Sequence, residues 1–338
     1  MAARGQQTPL FAFGVIADIQ YADVDDGHNF LRTRTRYYRS SLQLLRNALE
    51  SWAASPVRPE FVLQLGDVID AANGSSRGGP GRALDAVLDA FGSSALEVHH
   101  AWGNHELYNF SRRELLRSGL NSGPAGGQAP PGGDVHAYHF SPRAGFRFVL
   151  LDGYDVGLLG VEESSERYQQ ALRVIRQHNQ NQNLNRPPGS GLQERFAMFN
   201  GGFSKKQLDW LDSVLSSSDE SRERVTIVCH LPVHPDSTEP SCLAWNYEDV
   251  LALLRSHSSV ACFMAGHDHD GGYHRDTDTG VHHVTFEAVV ETPPDSNAFA
   301  TVSVYEDRMD LKGNGRTRDR VLHFPGRCAS QNQSRTPW

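Results

Sequence analysis

The amino-acid sequence predicts an α/β fold in which two packed sheets are covered by helices, and three patterns predict it. Apolar runs of strand length alternate with stretches whose apolar residues recur at helical spacing. The N-terminal third reads β-α-β-α-β, and the C-terminal part carries strand patterns without helices. FAFGVIAD (Phe11 to Asp18) is a buried strand, and from Tyr37 to Trp52 the residues Leu42, Leu45 and Leu49 share one helical face. FVLQLGD (Phe61 to Asp67), the helix GRALDAVLDAF and the strand EVHHAWGN (Glu97 to Asn104) follow, an order that favours parallel pairing through helical crossovers.

Beyond a turn-rich stretch from Gly119 to Asp134, three further runs read as strands: RFVLLDGYD (Arg147 to Asp155), RVTIVCH (Arg224 to His230) and VACFMAGH (Val260 to His267). SKKQLDWLDSVL (Ser204 to Leu215) and NYEDVLALLRS read as helices between them. VHHVTFEAVV and ATVSVYEDRMDLKG look like antiparallel strands, so a second sheet packed on the first is expected. The whole chain, 1–338, reads as one domain with an insertion at about 155–203, where QHNQNQNLNRPPGSG breaks the rhythm. That segment is either a solvated surface loop or a cap over a site.

With 38% hydrophobic and 21% charged residues the chain has the balance of an ordinary globular protein. Its 40 acidic against 32 basic residues give it no general attraction for nucleic acid or anionic lipid, so a phosphate-bearing partner needs local cations. No apolar run has the length of a membrane span, and the start, MAARGQQTPL, lacks the apolar core of a signal peptide, which predicts a cytoplasmic monomer. Cys229, Cys242, Cys262 and Cys328 form no C-x-x-C pair, and the first and third sit in strand-like runs as small core residues. Sequons at Asn73, Asn109 and Asn332 are read as chance matches.

Five apolar strands end in polar clusters: Asp18-Ile-Gln20, Gly66-Asp67-Val-Ile-Asp70, Gly103-Asn104-His105-Glu106, His230, and Gly266-His267-Asp268-His269. Ligands of α/β sheets bind at the carboxyl ends of strands, so residues far apart in the chain can converge there. Asp18 and Asp67 offer carboxylates, Gln20 and Asn104 amide oxygens, and His230, His267 and His269 imidazoles. This mixed oxygen and nitrogen set suits Mn²⁺, Fe²⁺, Co²⁺ or Zn²⁺, and Gly66, Gly103 and Gly266 are expected to allow tight turns beside the ions. Each cluster alone is weak evidence; their joint order at strand ends is what points to a metal centre.

The series resembles the calcineurin-like metallophosphoesterase superfamily, whose motifs D-x-H, GD-x-x, GNH-D/E, H and GH-x-H are met from Asp18 to His269. The resemblance implies an αββα sandwich of two mixed sheets flanked by helices, with two divalent ions. One would be held by Asp18, Gln20, Asp67 and His269 and the other by Asp67, Asn104, His230 and His267, with Asp67 shared. His105 would protonate the leaving oxygen or stabilise the transferring phosphoryl group. Gln20 stands where most of the superfamily has His, which makes that site harder and favours Mn²⁺ or Mg²⁺. This D-x-Q variant, with FNGGFSKKQLDWL (Phe199 to Leu211), is similar to the manganese-dependent ADP-ribose/CDP-alcohol diphosphatases. Asp70 stands where purple acid phosphatases carry a ligand tyrosine, which excludes that branch.

The implied reaction is hydrolysis of a phosphoanhydride in a nucleoside diphosphate small molecule, by a water that two cations acidify and hold in line. Asp70 and Asp268 are expected to orient ligands. Phe30, Tyr21, Asn109, Cys242 and the stretch Asn200 to Phe203 adjoin the motifs and are candidates for substrate contact. His28, His99, His100, His234 and His274 also lie near motifs and are assigned no chemistry. Shared ligands leave open a phosphomonoesterase or cyclic-nucleotide phosphodiesterase of the same fold, and a non-catalytic interaction module on the same scaffold.

Overall fold

The computed structural model describes residues 8–29, 31–75, 79–123 and 134–326. The first half of the chain runs β1 (Phe11–Ile16), a short hairpin of β2 (Gly27–His28) and β3 (Thr35–Arg36), α1 (Tyr38–Ala54), β4 (Phe61–Gln64), α2 (Gly79–Gly92), β5 (Glu97–His100), α3 (Asn104–Asn109), α4 (Arg112–Leu115), β6 (Tyr138–Arg143) and β7 (Phe146–Leu150). The second half runs α5 (Glu166–His178), α6 (Lys205–Glu220), β8 (Arg224–Val228), α7 (Tyr247–Arg255), β9 (Val260–Ala265), β10 (Gly272–Arg275), β11 (His282–Thr285), β12 (Ala298–Val304), β13 (Arg308–Gly315) and β14 (Arg320–His323).

Two six-stranded mixed sheets result, ordered β14-β13-β12-β1-β4-β5 and β10-β11-β9-β8-β7-β6. In the first, β1, β4 and β5 are parallel and β12 joins β1 antiparallel. In the second, β7, β8, β9 and β11 are mutually parallel. The C-terminal hairpin β12–β13 thus returns to the first sheet, and the second sheet is built from the middle of the chain. Of VHHVTFEAVV only β11 is a strand, and it meets the antiparallel expectation on one side, against β10, while on the other it pairs parallel to β9. The stretch after β11 is carried off to the ends of both sheets, where Val289 and Val290 bond to Ala17 and Asp18.

Period-two alternation divides each strand between two cores. Phe11, Phe13, Val15, Phe61 and Leu63 face Phe148, Leu150, Val228, Cys262 and Met264 across the gap between the sheets. There Phe13 stacks on Phe61 at 5.4 Å, and both meet Phe148 edge-on at 5.1 and 5.2 Å. Such pairs add about 0.5–1.5 kcal/mol each beyond their buried area. The opposite faces, with Ile16, Val62, Ile227 and Phe263, pack on Leu45, Leu49 and Trp52 of α1 and on Leu211, Leu215, Leu251 and Leu254 of α6 and α7. Strands buried on both faces read as continuous apolar runs, which is why the sequence marks them so clearly. Among the described residues, no helix is long and apolar enough to cross a membrane.

Three histidines of the first sheet's edge are buried as neutral rings. His99 stacks on Phe140 at 3.6 Å, His136 stacks on Trp102 at 4.3 Å, and His100 lies edge-on to Phe91. Burial lowers their pKa values to about 4 for His99 and His136 and about 3 for His100. Because the unfolded chain takes up these protons near pH 6.5 and the folded chain does not, their stabilisation is full above pH 6.5 and is lost as pH falls toward 4. Between pH 7 and 5 a ring such as His99 accounts for a loss of roughly 2 kcal/mol. Urea unfolding at both pH values should therefore show a smaller acid-induced loss in His99→Phe than in the parent chain, and identical losses would contradict the assignment.

Candidate metal centre

All seven donors leave the C-terminal ends of strands: Asp18 and Gln20 after β1, Asp67 after β4, Asn104 after β5, His230 after β8, and His267 and His269 after β9. The two sheets bring these ends together. Asp67 Oδ2 lies 3.1 Å from Gln20 Nε2 and 3.5 Å from His230 Nε2. On one side of it, Gln20 Nε2 is 2.9 Å from His269 Nε2, which is 3.6 Å from Asp18 Oδ1. On the other side, His230 Nε2 is 3.0 Å from His267 Nδ1 and 3.3 Å from Asn104 Oδ1. Asp67 stands between two sets of donors.

The backbone is bent to make this possible. Asp18, Gln20, Asp67 and His267 hold positive φ of 51°, 44°, 58° and 71°, four of the six non-glycine residues that do so among those described. Each costs of order 1–3 kcal/mol unless its surroundings fix it. Much of the fixing is done by the buried Glu106 carboxylate, which accepts the backbone N–H of Asp67 (2.8 Å), Val68 (2.7 Å) and Gly103 (2.7 Å). Gly66 has the expected positive φ, +100°, and a Cβ there would meet His230 Nδ1 at 2.4 Å. At Gly103 the reason is room rather than a turn: φ is −106°, and a Cβ would lie 2.0 Å from Asp67 Oδ1.

Each histidine is also held by its outward nitrogen. His230 Nδ1–H donates to the Leu65 carbonyl at 2.8 Å, and His269 Nδ1–H to Glu291 Oε1 at 2.7 Å. His267 Nε2–H donates to Asn200 Oδ1 at 2.7 Å, because the Asn200 amide N–H groups already serve the Arg195 and Ser241 carbonyls. The inward nitrogens of His230 and His267 therefore carry lone pairs directed at the cluster, the tautomers that metal coordination requires, and a cation bound at His269 Nε2 would take the place of its proton.

Charge and unmet valence make the same point. Burial, with the Asp18 charge beside it, raises the Asp67 pKa well above the ordinary range. Burial would also raise Asp18, but the facing imidazole of His269, 3.6 Å away, holds it below the usual value. Burial alone would lower His269, yet the Asp18 and Glu291 carboxylates beside it raise it to about 9. The field at this spot thus favours positive charge. Asp18 Oδ1 and Gln20 Oε1 are buried with no hydrogen-bond partner among the described residues, each a loss of about 1–3 kcal/mol if nothing else binds them. Carboxylate, amide and imidazole donors arranged so fit divalent cations such as Mn²⁺, Fe²⁺, Co²⁺ or Zn²⁺.

His105 lies beside the cluster. Its Nδ1 accepts the Ala71 backbone N–H at 3.0 Å and is 3.3 Å from Asp70 Oδ2, while Nε2 is 4.0 Å from Asp67 Oδ2. Asp70 also pairs with Arg36 at 3.4 Å, and Asp268 accepts from Thr238 Oγ1 at 2.9 Å and Glu239 N at 2.7 Å. Among the candidates for substrate contact, Asn109 donates its amide to the Asp70 and His105 carbonyls, and Tyr21 is tied into a bridge with Ile69. Cys242 is half-buried in a turn whose Ser241 carbonyl holds Asn200, while Phe203 is in the core. Phe30 lies outside the described residues. The sequence reading assigned no role to Glu291 and Tyr154, whose hydroxyl donates to Asn104 Oδ1 at 3.2 Å. Neither belongs to a motif; Glu106 does, and its position in GNHE was the available signal.

The family model of the calcineurin-like phosphoesterases matches residues 11–271. Curated relatives named manganese-dependent ADP-ribose/CDP-alcohol diphosphatase include one from Danio rerio, 54% identical over 94% of this chain and 99% of its own, and one from Homo sapiens, 50% identical over 93% of each. A crystal structure of a dimetal phosphatase from Danio rerio superposes with a TM-score of 0.90 at 55% identity, covering 94% of this chain and 99% of that one.

The bond from His269 to Glu291 leads to a test at the outer edge of the cluster. Glu291→Gln is expected to weaken Mn²⁺ binding by about 10–100-fold in calorimetric titration. Unchanged affinity would mean that Glu291 has no part in orienting His269.

Proposed function

The chain belongs to the calcineurin-like phosphoesterase family, and we propose that it hydrolyses the phosphoanhydride bond of ADP-ribose, CDP-alcohols and related nucleoside diphosphate compounds with two divalent ions, Mn²⁺ by preference. The observation that carries this reading is the full set of side chains gathered around Asp67, with Gln20 among them, whose buried and unpartnered amide oxygen is a neutral donor that suits Mn²⁺. Relatives named for that activity, about half identical across nearly the whole chain, support it. In this reading Asp18, Gln20, Asp67 and His269 hold one ion and Asp67, Asn104, His230 and His267 the other. When bound, such a pair of cations polarises phosphoryl oxygens and makes water acidic enough to attack near neutral pH.

The chain's own groups do the rest. His105, whose Nδ1 accepts from Ala71, keeps its proton on Nε2, on the side of Asp67. That N–H is the donor for the transferring phosphoryl group or the leaving oxygen. Glu106, Asn200 and Glu291 hold Asp67, His267 and His269 in place before substrate arrives. Phe199, with its ring 5.9 Å from that of His267, and Cys242, next in the chain to the Ser241 whose carbonyl holds Asn200, are the groups we assign to the nucleoside side. Since Phe199 and Asn200 belong to the segment 155–203, we read that segment as an insertion of one domain that closes one wall of the site. The free thiols of Cys229 and Cys262, both buried, are in keeping with a reducing compartment such as the cytoplasm.

A phosphoanhydride has a good leaving group and needs less acid assistance than an alkyl ester. A panel of ADP-ribose, CDP-choline, 3′,5′-cyclic AMP and p-nitrophenyl phosphate, run with Mn²⁺ and with Mg²⁺, is expected to show the highest turnover for the two diphosphates with Mn²⁺. On these, His105→Ala should lose about 10²-fold in kcat with its Mn²⁺ content intact, whereas Asp67→Ala should lose turnover and metal together. Negligible turnover of both diphosphates with Mn²⁺ would defeat the substrate assignment, and complete loss in metal-replete His105→Ala would contradict the auxiliary role of His105.

A further inference from the structure

A second group of metal-competent side chains stands apart from this centre. After β8 the chain reaches a single 3-10 turn, Pro235–Ser237, seated so tightly on β10 that a Cβ on Gly272 would lie 2.2 Å from the Ser237 carbonyl oxygen. The turn carries His234 and Asp236 to His274. The two imidazoles stack at 4.1 Å, and His274 Nδ1 is 3.6 Å from Asp236 Oδ2. His234 Nδ1 accepts the Asp236 backbone N–H at 3.2 Å, which holds the ring against the turn, and a cation bound at this nitrogen would replace that hydrogen bond. One ligand atom from each of the three residues lies within 4.8 Å of the others.

A third imidazole adjoins this cluster from beneath. His283 of β11 is directly opposite His274 in the antiparallel ladder, and its ring lies 4.8 Å from that of His234. It is buried, and its Nδ1 has no hydrogen-bond partner among the described residues. Nothing in the hydrophobic core calls for a polar nitrogen there, and leaving one unsatisfied costs about 1–3 kcal/mol. Burial and the neighbouring histidines lower the pKa values of His234 and His283, the latter to about 3. Both are neutral at pH 7, and no proton has to be displaced before a cation binds. The nearby Arg255 directs its Nε to Asp276 at 2.9 Å, which leaves the Asp236 carboxylate, largely exposed, facing His274.

We propose that His234, Asp236 and His274, with His283 beneath them, form a peripheral site for a borderline transition-metal cation such as Zn²⁺. Imidazoles with one carboxylate and no thiolate suit Zn²⁺, Co²⁺ or Ni²⁺, and the order of divalent affinities places Mn²⁺ lowest at such a site. Zinc–nitrogen and zinc–oxygen bonds of about 2.0–2.2 Å require donors closer than 4.8 Å, and Asp236, on an exposed turn, is free to move inward. The ion ties the Pro235–Ser237 turn to β10. The same turn leads into Thr238 and Glu239, which grip Asp268 between His267 and His269. The site is thus a clip on the outside of a loop that supports the dinuclear centre.

The test counts metal rather than activity, so it stands whatever the substrate panel gives. Mn²⁺-saturated wild-type protein, His274→Gln and Asp236→Asn are dialysed against Zn²⁺ in excess Mn²⁺, and zinc per chain is measured by elemental analysis. Wild type is expected to retain one equivalent of zinc more than either variant, with Mn²⁺ content equal in all three. Zinc should also raise the wild-type Tm more than that of the variants. Equal zinc in the three proteins would overturn the proposal. Loss of Mn²⁺ from the variants would overturn it as well, since the cluster would then serve the dinuclear centre. Should His274→Gln fail to fold, the exposed Asp236→Asn decides the matter alone.

Discussion

Two carboxylates, Asp18 and Asp67, are buried side by side at the ends of two adjacent strands of the first sheet, and the local architecture answers that repulsion. Buried charge of one sign is expensive unless a partner of the other sign is close. The chain supplies three imidazoles, two amides and no buried lysine or arginine within the donor set itself. Positive charge from bound cations is what resolves the arrangement. Four left-handed backbone conformations and a crowded glycine at Gly103 follow from packing the donors this closely.

The supports are distributed differently from the donors. Donors come from the first few residues after a strand, where the ladder ends and side chains turn toward a common space. Supports come from wherever the fold passes by: Glu106 from the first turn of α3, Asn200 from the end of the 155–203 segment, and Glu291 from the run that follows β11. Each places one hydrogen bond on a donor or its backbone. Fixed geometry of this kind lowers the reorganisation that a reaction would otherwise demand. The fold supplies the platform, and the particular residues on it determine the chemistry.

This division explains what could be read from the sequence. Strands buried on both faces, such as β1, β4, β8 and β9, are unbroken apolar runs, and the polar residue that ends each run is conspicuous. The seven side chains that gather there were legible for that reason, Asp67 through the GD step after β4. The return of β12 and β13 to the first sheet was not legible, because strand pattern carries no information about which edge a strand joins. Glu291 and Tyr154 escaped notice because a single hydrogen bond across 22 or 50 positions leaves no periodicity. The histidines at 99, 100, 234 and 274 looked alike in sequence, yet the first two are neutral core rings packed on aromatic neighbours and the last two share an open cluster with Asp236.

The account stands on one shared aspartate between two cations. Crystals grown with Mn²⁺ and measured on both sides of the manganese absorption edge test this directly. Two anomalous peaks roughly 3.5–4 Å apart, one on each side of Asp67 Oδ2, are predicted. A single peak, or peaks away from the side chains of Asp18, Asp67, His230 and His269, would contradict it.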